Sequence, residues 1–362
     1  MINYKLLTPG PLTTTDSVKK EMMSDHCTWD RDYKNITQNI RKELLSLAKV
    51  SENEYTVVLM QGSGTFGVES VLTSVVGEGE KLLIISNGSY GERMVQIAEY
   101  SGLEHRSLSF GYDTIPSCDD IAAVLDEDED ITHVAVVHCE TTSGILNDIE
   151  VISNIVKKKG KSLIIDAMSS FGGIDIDVSK LDIDYIVSSS NKCIQGVPGF
   201  SFIICKKKEL DKCNGKARSL SLDLYGQWKE MDKDGKWRFT SPTHVVLAFA
   251  RALKELKLEG GVSVREKRYR ENNKLLRERM ENIGIKSYVK EEYQSPIITT
   301  FLYPERYDFS FEKMYNYIKE RGYAIYPGKL TDIDTFRVGN IGEIYREDIE
   351  RLSDILEEYI NE

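Results

Sequence analysis

Two residues at the ends of apolar runs have the types and the spacing for covalent chemistry on an amino group. Residues 163–165 are apolar and are followed by Asp166, and residues 185–187 are followed by three serines, Asn191 and Lys192. One buried strand would then deliver a carboxylate and another a lysine, which is what pyridoxal phosphate chemistry needs. The lysine would form a Schiff base with the cofactor aldehyde, and the carboxylate would keep the pyridine nitrogen protonated. We therefore interpret Asp166 and Lys192 as a candidate catalytic pair.

Each of these residues also has an ordinary explanation when it is taken alone. Most aspartates at strand ends cap a turn, and most lysines are solvated. The surroundings favour the functional interpretation, because Lys192 lies in a small and polar run, Ser-Ser-Ser-Asn-Lys-Cys-Ile-Gln-Gly at 188–196. The rest of the chain must then supply groups that bind a phosphate and a planar ring.

Strands and helices alternate along the first half of the chain, and a polar turn follows each of several predicted strands. These turns come after Met60, Ser86, Val137, Ile165 and Val187. The alternation predicts an α/β fold with a mainly parallel sheet and helices on both of its faces. Since ligands bind beyond the carboxyl ends of the strands in such sheets, the five turns should converge on one crevice.

The chain is long enough for more than one domain. Its 362 residues suggest about two. Pro-Gly-Pro at 9–11 forbids a helix near the amino terminus, and residues 206–240 are polar, aromatic and irregular in pattern. Gly260 and Gly261 are the candidate hinge. We predict an N-terminal arm, a large cofactor-binding domain and a smaller C-terminal domain, at residues 1–15, 16–260 and 261–362.

Composition excludes several classes of partner. The 47 basic and 58 acidic residues give a formal charge of -11, which disfavours nucleic acid because phosphate backbones select basic surfaces. The six cysteines form no CxxC pair and no histidine cluster accompanies them, so we expect reduced thiols and no metal site. The N-terminus lacks a signal pattern, and no apolar run approaches the roughly 20 residues of a membrane span. We therefore expect a cytoplasmic protein without a membrane partner.

A glycine-rich turn follows the first predicted strand of the sheet. Residues 62–67 match the pattern GxGxxG. A dinucleotide site would also need an acidic residue about 20 positions on, but the second strand ends Ile-Ile-Ser-Asn at 84–87. The same geometry suits a single phosphate, because the N–H groups of Ser63, Gly64 and Thr65 would lie at a helix N-terminus. A glycine turn without a ligand is the alternative.

Three further residues are candidates for binding. Tyr90, in the turn after the second strand, could stack on a planar ring, although a surface tyrosine is the more common case. Thr141 follows another strand and could bind a cofactor hydroxyl or phosphate, or cap a helix. Arg337 lies in an apolar strand, and its planar guanidinium suits a carboxylate or a phosphonate. An internal salt bridge is the alternative for Arg337.

Taken together, these motifs resemble the class V, fold-type I aminotransferases. Within that class the chain is most similar to the family that moves the amino group of 2-aminoethylphosphonate to pyruvate. The tryptophan-containing and SLSLDLY stretches favour this family over alanine–glyoxylate or serine transaminases. The resemblance covers nearly the whole chain and is carried by LLTPGPLTT at 6–14, CTWDRDY at 27–33, LMQGSGTFGVE at 59–69, SNGSYGERM at 86–94, ETTSGILN at 140–147, IDAMSSFGG at 165–173, SSSNKCIQGVPGF at 188–200, RSLSLDLYGQW at 218–228, GKWRFTSPTH at 235–244, SPIITTF at 295–301, YPGKL at 326–330 and FRVGNIGE at 336–343.

The resemblance implies a fold, a cofactor and a set of roles. The expected fold is a mainly parallel seven-stranded sheet in a large domain, with a smaller α+β C-terminal domain. Thr243 would reach the phosphate of the neighbouring subunit's cofactor, which implies a homodimer with shared sites, and Arg337 would bind the substrate anion. Lys192 would be the Schiff-base lysine, and Asp166 its catalytic partner. Pyridoxal 5'-phosphate would be bound at Ser63, Gly64, Thr65, Tyr90, Thr141, Asp166, Lys192 and Thr243.

The implied activity is a ping-pong transamination from 2-aminoethylphosphonate to pyruvate, which gives phosphonoacetaldehyde and alanine. Two alternatives remain open at this stage. One is another class V enzyme, such as an alanine–glyoxylate transaminase. The other is a dehydrogenase-like or non-catalytic nucleotide-binding protein.

Overall fold

A computed structural model of the chain describes residues 4–305, 309–328, 330 and 332–361. The first three residues of the predicted arm, and Lys329 of the stretch at 326–330, lie outside the described residues. No helix within the described ranges combines the length and the apolar character that a membrane crossing requires.

Twelve α-helices lie within the described residues, and most of them follow a strand. In chain order they are α1 (Asp16–Lys20), α2 (Arg31–Leu47), α3 (Gly64–Val75), α4 (Ser89–Tyr100), α5 (Cys118–Glu127), α6 (Ile149–Lys158), α7 (Lys207–Asp211), α8 (Leu224–Asp234), α9 (Thr243–Glu259), α10 (Val262–Asn282), α11 (Phe311–Glu320) and α12 (Arg346–Asn361).

Fourteen strands lie in the same ranges. They are β1 (Lys5–Leu6), β2 (Tyr55–Gln61), β3 (Lys81–Ser86), β4 (His105–Ser109), β5 (Ile131–Val137), β6 (Cys139–Glu140), β7 (Ile145–Leu146), β8 (Ser162–Asp166), β9 (Tyr185–Ser189), β10 (Phe200–Lys206), β11 (Ile298–Leu302), β12 (Tyr323–Ala324), β13 (Tyr326–Pro327) and β14 (Thr335–Gly339).

Seven of these strands form the central sheet, in the order β2-β10-β9-β8-β5-β3-β4. Strand β10 is antiparallel to both of its neighbours, and the other pairs in the sheet are parallel. The predicted seven-stranded, mainly parallel sheet is therefore confirmed. Parallel pairing brings the carboxyl ends of β3, β5, β8 and β9 to one edge, and β2, which runs in the same direction, ends there as well.

The central strands are apolar on both faces because helices cover both sides of the sheet. Along β8, Leu163 and Ile165 belong to one hydrophobic cluster and Ile164 to the other, as the alternation of side chains in a strand requires. In β3, Leu83 and Ile85 lie on the first face, whereas Leu82 and Ile84 lie on the second.

The C-terminal part has a smaller sheet of its own, in the order β11-β14-β13. Helices α10, α11 and α12 bury a third cluster against it, which includes Leu276, Phe301, Phe336 and Leu352. This arrangement is the expected smaller α+β unit. Helix α9 ends at Glu259 and α10 begins at Val262, but the division of the chain into domains at 260 and 261 stays a prediction.

The N-terminal arm is extended and joins the C-terminal unit. Strand β1 pairs in parallel with β12, and the fully buried Leu7 belongs to the third cluster. The arm then runs back toward the central sheet through Pro9, Gly10 and Pro11.

The expectation of irregular structure across residues 206–240 is wrong for helix α8. Asp223 caps this helix through the N–H of Gly226, and Gly235 ends it in the left-handed conformation with φ 90°. Trp228 and Met231 are buried on its inner face, and α8 packs against β2. Packing against the sheet stabilises a helix whose composition alone does not indicate one.

Candidate active site

A cavity of about 170 Å³ lies beyond the carboxyl ends of the central strands. Residues from the turns after β2, β3, β5, β8 and β9 line it, so the predicted convergence of these turns is confirmed. Seven of the nine predicted site residues share this cavity: Ser63, Gly64, Thr65, Tyr90, Thr141, Asp166 and Lys192.

Asp166 is the last residue of β8, and its side chain is buried. One carboxylate oxygen, Oδ1, accepts a hydrogen bond from the N–H of Met168 at 2.8 Å. Burial raises the pKa of Asp166 from 3.8 to about 6, against the effects of this hydrogen bond and of the positive charge of Lys192. Because this raised pKa still lies below 7, the carboxylate is mostly ionised at neutral pH, and a cationic partner beside it would stabilise that form.

Lys192 lies three residues beyond the end of β9, the strand that pairs in parallel with β8. This pairing explains why Lys192 and Asp166 line the same cavity. Burial lowers the pKa of Lys192 from 10.5 to about 8. Its Nζ donates a hydrogen bond to the main-chain oxygen of Pro9 at 2.7 Å. A lysine with a pKa this low has an appreciable fraction of free amine near neutral pH, as a nucleophile needs.

The N-terminus of α3 forms the polar end of the cavity. Ser63 occupies the N-cap position, but its side chain makes no capping hydrogen bond. A Cβ on Gly64 would overlap the sulfur of Met168, so a larger residue here would require the Met168 side chain to move. Uncapped N–H groups at a helix N-terminus, beside the hydroxyl of Thr65, are suited to a phosphate.

Tyr90 lies in the first turn of α4, because this helix begins at Ser89. The sequence had placed Tyr90 in the preceding turn, which is a small error of boundary. The N–H groups of Tyr90 and Gly91 donate to Oε2 of Glu140 at 3.1 and 3.2 Å. The helix start that presents Tyr90 to the cavity is thus held by this carboxylate and by the Thr142 hydroxyl, which accepts from the N–H of Ser89 at 3.0 Å.

Glu140 is a residue of the site that sequence reasoning missed. It is fully buried, and its Oε1 accepts from the N–H of Thr142 at 3.1 Å and from the hydroxyl of Thr142 at 2.6 Å. Burial raises the pKa of Glu140, and the four hydrogen bonds oppose that rise. The signal in the sequence is a lone carboxylate between Cys139 and Thr141, directly after a buried strand.

Arg93 also lines the cavity and was missed. Its guanidinium carbon lies 4.9 Å from the centre of the Tyr90 ring, and its Nη1 donates to Oγ1 of Thr65 at 3.2 Å. The signal was its position three residues after Tyr90, which puts both side chains on one face of α4. Arg93 adds a positive charge next to the phosphate-suited end of the cavity.

Arg337, in β14, is buried but is not one of the residues that line the cavity. Its Nη1 donates to the main-chain oxygen of Thr141 at 2.9 Å and its Nε to that of Pro327 at 3.0 Å. Tyr90 is a further side-chain partner, and burial lowers the pKa of Arg337. Arg337 thus reaches the site through the turn that carries Thr141.

Thr243, the last of the predicted residues, is the first residue of α9 and is partly exposed. It does not line this cavity. Its predicted contact with the cofactor of a neighbouring subunit is not tested by a single chain and stays a prediction.

The donor set of the cavity fits pyridoxal phosphate. Uncapped N–H groups and the Thr65 hydroxyl suit the phosphate, and Tyr90 offers an aromatic face for the ring. Asp166 offers a carboxylate for the ring nitrogen, and Lys192 offers an amine for the aldehyde. Each part of the cofactor thus has a chemically matching group in the same cavity.

The family described as Aminotransferase class-V matches residues 17–337. Since that span is most of the chain, this protein belongs to the class V aminotransferases, and its cofactor is pyridoxal phosphate.

Relatives with high identity agree on a particular activity. A 2-aminoethylphosphonate–pyruvate transaminase from Lysinibacillus sphaericus (strain C3-41) is 61% identical over 360 residues, which cover 99% of this chain and 98% of the relative. Another from Bacteroides fragilis is 54% identical over 357 residues, with 98% of each chain covered. A bifunctional phosphonoacetaldehyde hydrolase/aminoethylphosphonate transaminase from Clostridioides difficile (strain 630) is 53% identical over 99% of this chain, which spans 57% of that longer protein.

Solved structures match the fold closely. The alanine–glyoxylate aminotransferase from Nostoc sp. has a TM-score of 0.91 at 24% identity, with 100% of this chain and 96% of that chain covered. Pyridoxamine–pyruvate aminotransferase from Mesorhizobium loti has a TM-score of 0.90 at 19% identity, with coverage of 100% and 94%. At these identities the likeness concerns the fold alone, and it confirms the fold-type I architecture.

Proposed function

We propose that this protein is a transaminase that moves the amino group of 2-aminoethylphosphonate to pyruvate, giving phosphonoacetaldehyde and L-alanine. The observation that carries this proposal is the 61% identity, over 99% of this chain and 98% of the relative, to a transaminase of that name. The cavity that holds Asp166 and Lys192 together supplies the chemical groups for the reaction.

When bound, pyridoxal phosphate supplies an aldehyde that takes up the amino group and a ring that accepts the electron pair left on carbon. Lys192 would be the residue that holds it, and with a substrate amine in its place the Lys192 amine would act as base and then as acid. Its pKa of about 8 suits both roles, because the amine and ammonium forms are both populated near neutral pH.

Asp166 has an electrostatic role in this proposal. Above its pKa of about 6 the carboxylate is ionised and keeps a ring nitrogen opposite to it protonated. A buried negative charge of this kind stabilises the developing charge on the substrate, since the surrounding dielectric is low. The N–H of Met168 keeps the carboxylate in this position.

Ser63, Gly64, Thr65 and Thr141 would bind the phosphate and hydroxyl groups of the cofactor. These residues come from the turns after β2 and β5 and line one cavity. Tyr90 would stack on the ring, and its own backbone is held by Glu140. All five roles rest on geometry and on the family resemblance.

Arg337 would bind the anionic group of each substrate in turn. Its guanidinium can accept a phosphonate in one half-reaction and a carboxylate in the other, because both present oxygens that match its fork. Its described hydrogen-bond partners are uncharged, namely the two main-chain oxygens and Tyr90, and Glu140 acts on it through charge without a hydrogen bond. A guanidinium that is not hydrogen-bonded to a carboxylate remains available to a substrate anion.

We also propose a cytoplasmic homodimer in which Thr243 serves the neighbouring site. Large apolar side chains are exposed, including Phe66, which lies in the first turn of α3 beside the cavity and is 51% exposed. Covering such side chains is a common reason for subunits to associate. The cytoplasmic location is proposed on the six cysteines, of which none forms a disulfide in the structure.

In the cell we propose that the reaction runs toward breakdown of the phosphonate. The Clostridioides difficile relative carries a phosphonoacetaldehyde hydrolase in the same chain. A hydrolase of that name consumes the aldehyde product, and its removal draws a nearly reversible transamination forward.

The test is a single half-reaction with the cofactor-loaded protein. Addition of 2-aminoethylphosphonate alone should bleach the visible absorbance of the cofactor and release one phosphonoacetaldehyde per site, and pyruvate should then restore the spectrum. Alanine, which enters by the reverse of the pyruvate half-reaction, should also bleach the absorbance and release pyruvate. If glycine or serine converts the cofactor as fast as 2-aminoethylphosphonate does, the protein is a different class V aminotransferase.

A further inference from the structure

The N-terminal arm touches the candidate catalytic lysine directly. Nζ of Lys192 donates a hydrogen bond to the main-chain oxygen of Pro9 at 2.7 Å, although the two residues are 183 positions apart in the sequence. A Cβ on Gly10 would lie 2.8 Å from Cδ and 3.0 Å from Nζ of Lys192. The arm therefore lies against the last atoms of the lysine side chain, and a side chain at position 10 would require either the arm or Lys192 to move.

Within the part of the chain that the structure describes, the Pro9 oxygen is the hydrogen-bond acceptor of Lys192 Nζ. The Asp166 carboxylate acts on Lys192 through its charge and not through a direct hydrogen bond. A carbonyl oxygen accepts hydrogen bonds and cannot donate them, so it stabilises the ammonium form of a lysine over the free amine.

Strands β12 and β14 of the C-terminal unit fix the position of this oxygen. The N–H of Leu7 donates to the Ala324 oxygen at 2.8 Å, and the N–H of Gly339 donates to the Leu7 oxygen at 2.9 Å. Gly339 is the last residue of β14, the strand that carries Arg337. A Cβ on Gly339 would lie 2.6 Å from the Thr8 oxygen. The arm is thus packed against the same strand that presents the substrate-binding candidate.

We propose that the main-chain carbonyl of Pro9 is a positioning group that receives the Lys192 ammonium during proton transfer. The Lys192 amine takes a proton from the substrate carbon, becomes an ammonium and donates to the Pro9 oxygen. It then releases the same proton later in that half-reaction, and the carbonyl keeps none. Strand β14 carries Arg337 and also packs against the arm that carries Pro9. The same strand therefore positions the group that binds the substrate anion and the group that accepts from the ammonium. This inference rests on the proposed function.

The test compares Gly10→Ala with a matched control, Gly160→Ala. Both glycines have positive φ, 122° and 67°, but a Cβ on Gly160 meets no atom within 4 Å. Gly10→Ala should push the arm away from Lys192. With 2-aminoethylphosphonate deuterated at the carbon that bears the amine, kcat should fall roughly 10-fold or more and show a larger isotope effect, because proton transfer becomes limiting. The control should keep the wild-type kcat and isotope effect.

A second readout does not depend on turnover. The pH dependence of cofactor uptake by the cofactor-free, full-length protein reports the pKa of Lys192, because the free amine is the form that reacts. Loss of the Pro9 acceptor should move the midpoint down by about one pH unit. If wild-type protein does not turn over 2-aminoethylphosphonate, the proposed function fails, yet the uptake midpoint still tests the contact between Pro9 and Lys192.

Gly339→Ala provides a second variant that displaces the arm at Thr8 without touching Lys192, and it should shift the midpoint in the same direction. An unshifted midpoint and an unchanged isotope effect in the folded variants, equal to those of Gly160→Ala, would overturn the proposal. So would a larger isotope effect in the control.

Discussion

Asp166 and Lys192 titrate unusually close to neutral pH, because burial moves the pKa of each toward it. Burial raises the carboxyl pKa to about 6 and lowers the ammonium pKa to about 8. Between these values Asp166 is mostly ionised and Lys192 is partly deprotonated. This is the range in which a transaminase of this design has both groups in their working forms.

The raised pKa of Asp166 predicts a pH-dependent stability in the cofactor-free protein. Because the folded state binds this proton more tightly than the unfolded state, stability falls as pH rises from about 4 to 6. The shift from 3.8 to about 6 corresponds to about 3 kcal/mol. Urea unfolding measures the free energy of unfolding of Asp166→Asn and of the wild type. The difference, variant minus wild type, should increase by about 3 kcal/mol between pH 4 and pH 6. A difference that does not vary with pH would contradict the burial argument.

Arg337→Ala should weaken both substrates and leave the cofactor bound. One guanidinium–anion interaction contributes about 1.5–3 kcal/mol, so the KM values for 2-aminoethylphosphonate and pyruvate should each rise roughly 10- to 100-fold. Arg337→Lys is the matched control, because it keeps the positive charge and loses the planar guanidinium. Its KM values should lie between those of the wild type and those of Arg337→Ala. Unchanged KM values for both substrates would remove Arg337 from this role.

Among the secondary-structure elements, the strands were easier to predict from the sequence than the long-range contacts that hold helices in place. β3 and β14 are short, apolar runs ended by polar residues, and such runs are visible in any sequence. The hydrogen bonds of Glu140 to α4 join residues 50 positions apart, and no local pattern encodes them. Helix α8 is a second example, because its local sequence does not indicate a helix and its buried face is defined by packing against β2. Thr243 and Arg337 were identified through the family resemblance more than through local pattern.

Glu140→Gln should loosen the start of α4. A glutamine amide has one oxygen and two N–H groups, so it cannot accept all four of the hydrogen bonds that the carboxylate accepts. Leaving buried N–H groups without an acceptor should lower the free energy of unfolding by about 2 kcal/mol, and displacement of Tyr90 should weaken cofactor binding. Urea unfolding and cofactor titration measure the two effects.

Thr142→Val is the comparison variant for this prediction. It removes a hydroxyl that donates to Oε1 of Glu140 and accepts from the N–H of Ser89, but it keeps the carboxylate and its hydrogen bonds from Tyr90 and Gly91. It should therefore weaken cofactor binding less than Glu140→Gln does. Wild-type stability together with wild-type cofactor affinity in Glu140→Gln would show that the carboxylate does not organise this helix.

In the whole molecule, two long-range contacts connect the C-terminal unit to the cavity. Arg337 donates to the Thr141 oxygen, and the arm that is paired with β12 brings Pro9 to Lys192. A movement of the C-terminal unit would therefore change the surroundings of both Arg337 and Lys192.

The proposed sharing of sites between subunits predicts recovery of activity in a mixed dimer. Lys192→Ala and Thr243→Asp should each be nearly inactive alone. Co-expression should yield dimers in which one site has both Lys192 and Thr243 intact, and these should regain up to about half of the wild-type activity per dimer. Purification through two different tags isolates the mixed dimer. If it is as inactive as its parents, Thr243 does not serve the neighbouring site.

The most direct test of the central claim is chemical reduction of the cofactor-loaded protein with borohydride, followed by mass-spectrometric peptide mapping. Reduction fixes the cofactor to the amine that holds it. We expect a pyridoxyl phosphate label on Lys192 and loss of that label in Lys192→Ala. A label on another lysine, or a labelled Lys192→Ala protein, would contradict it.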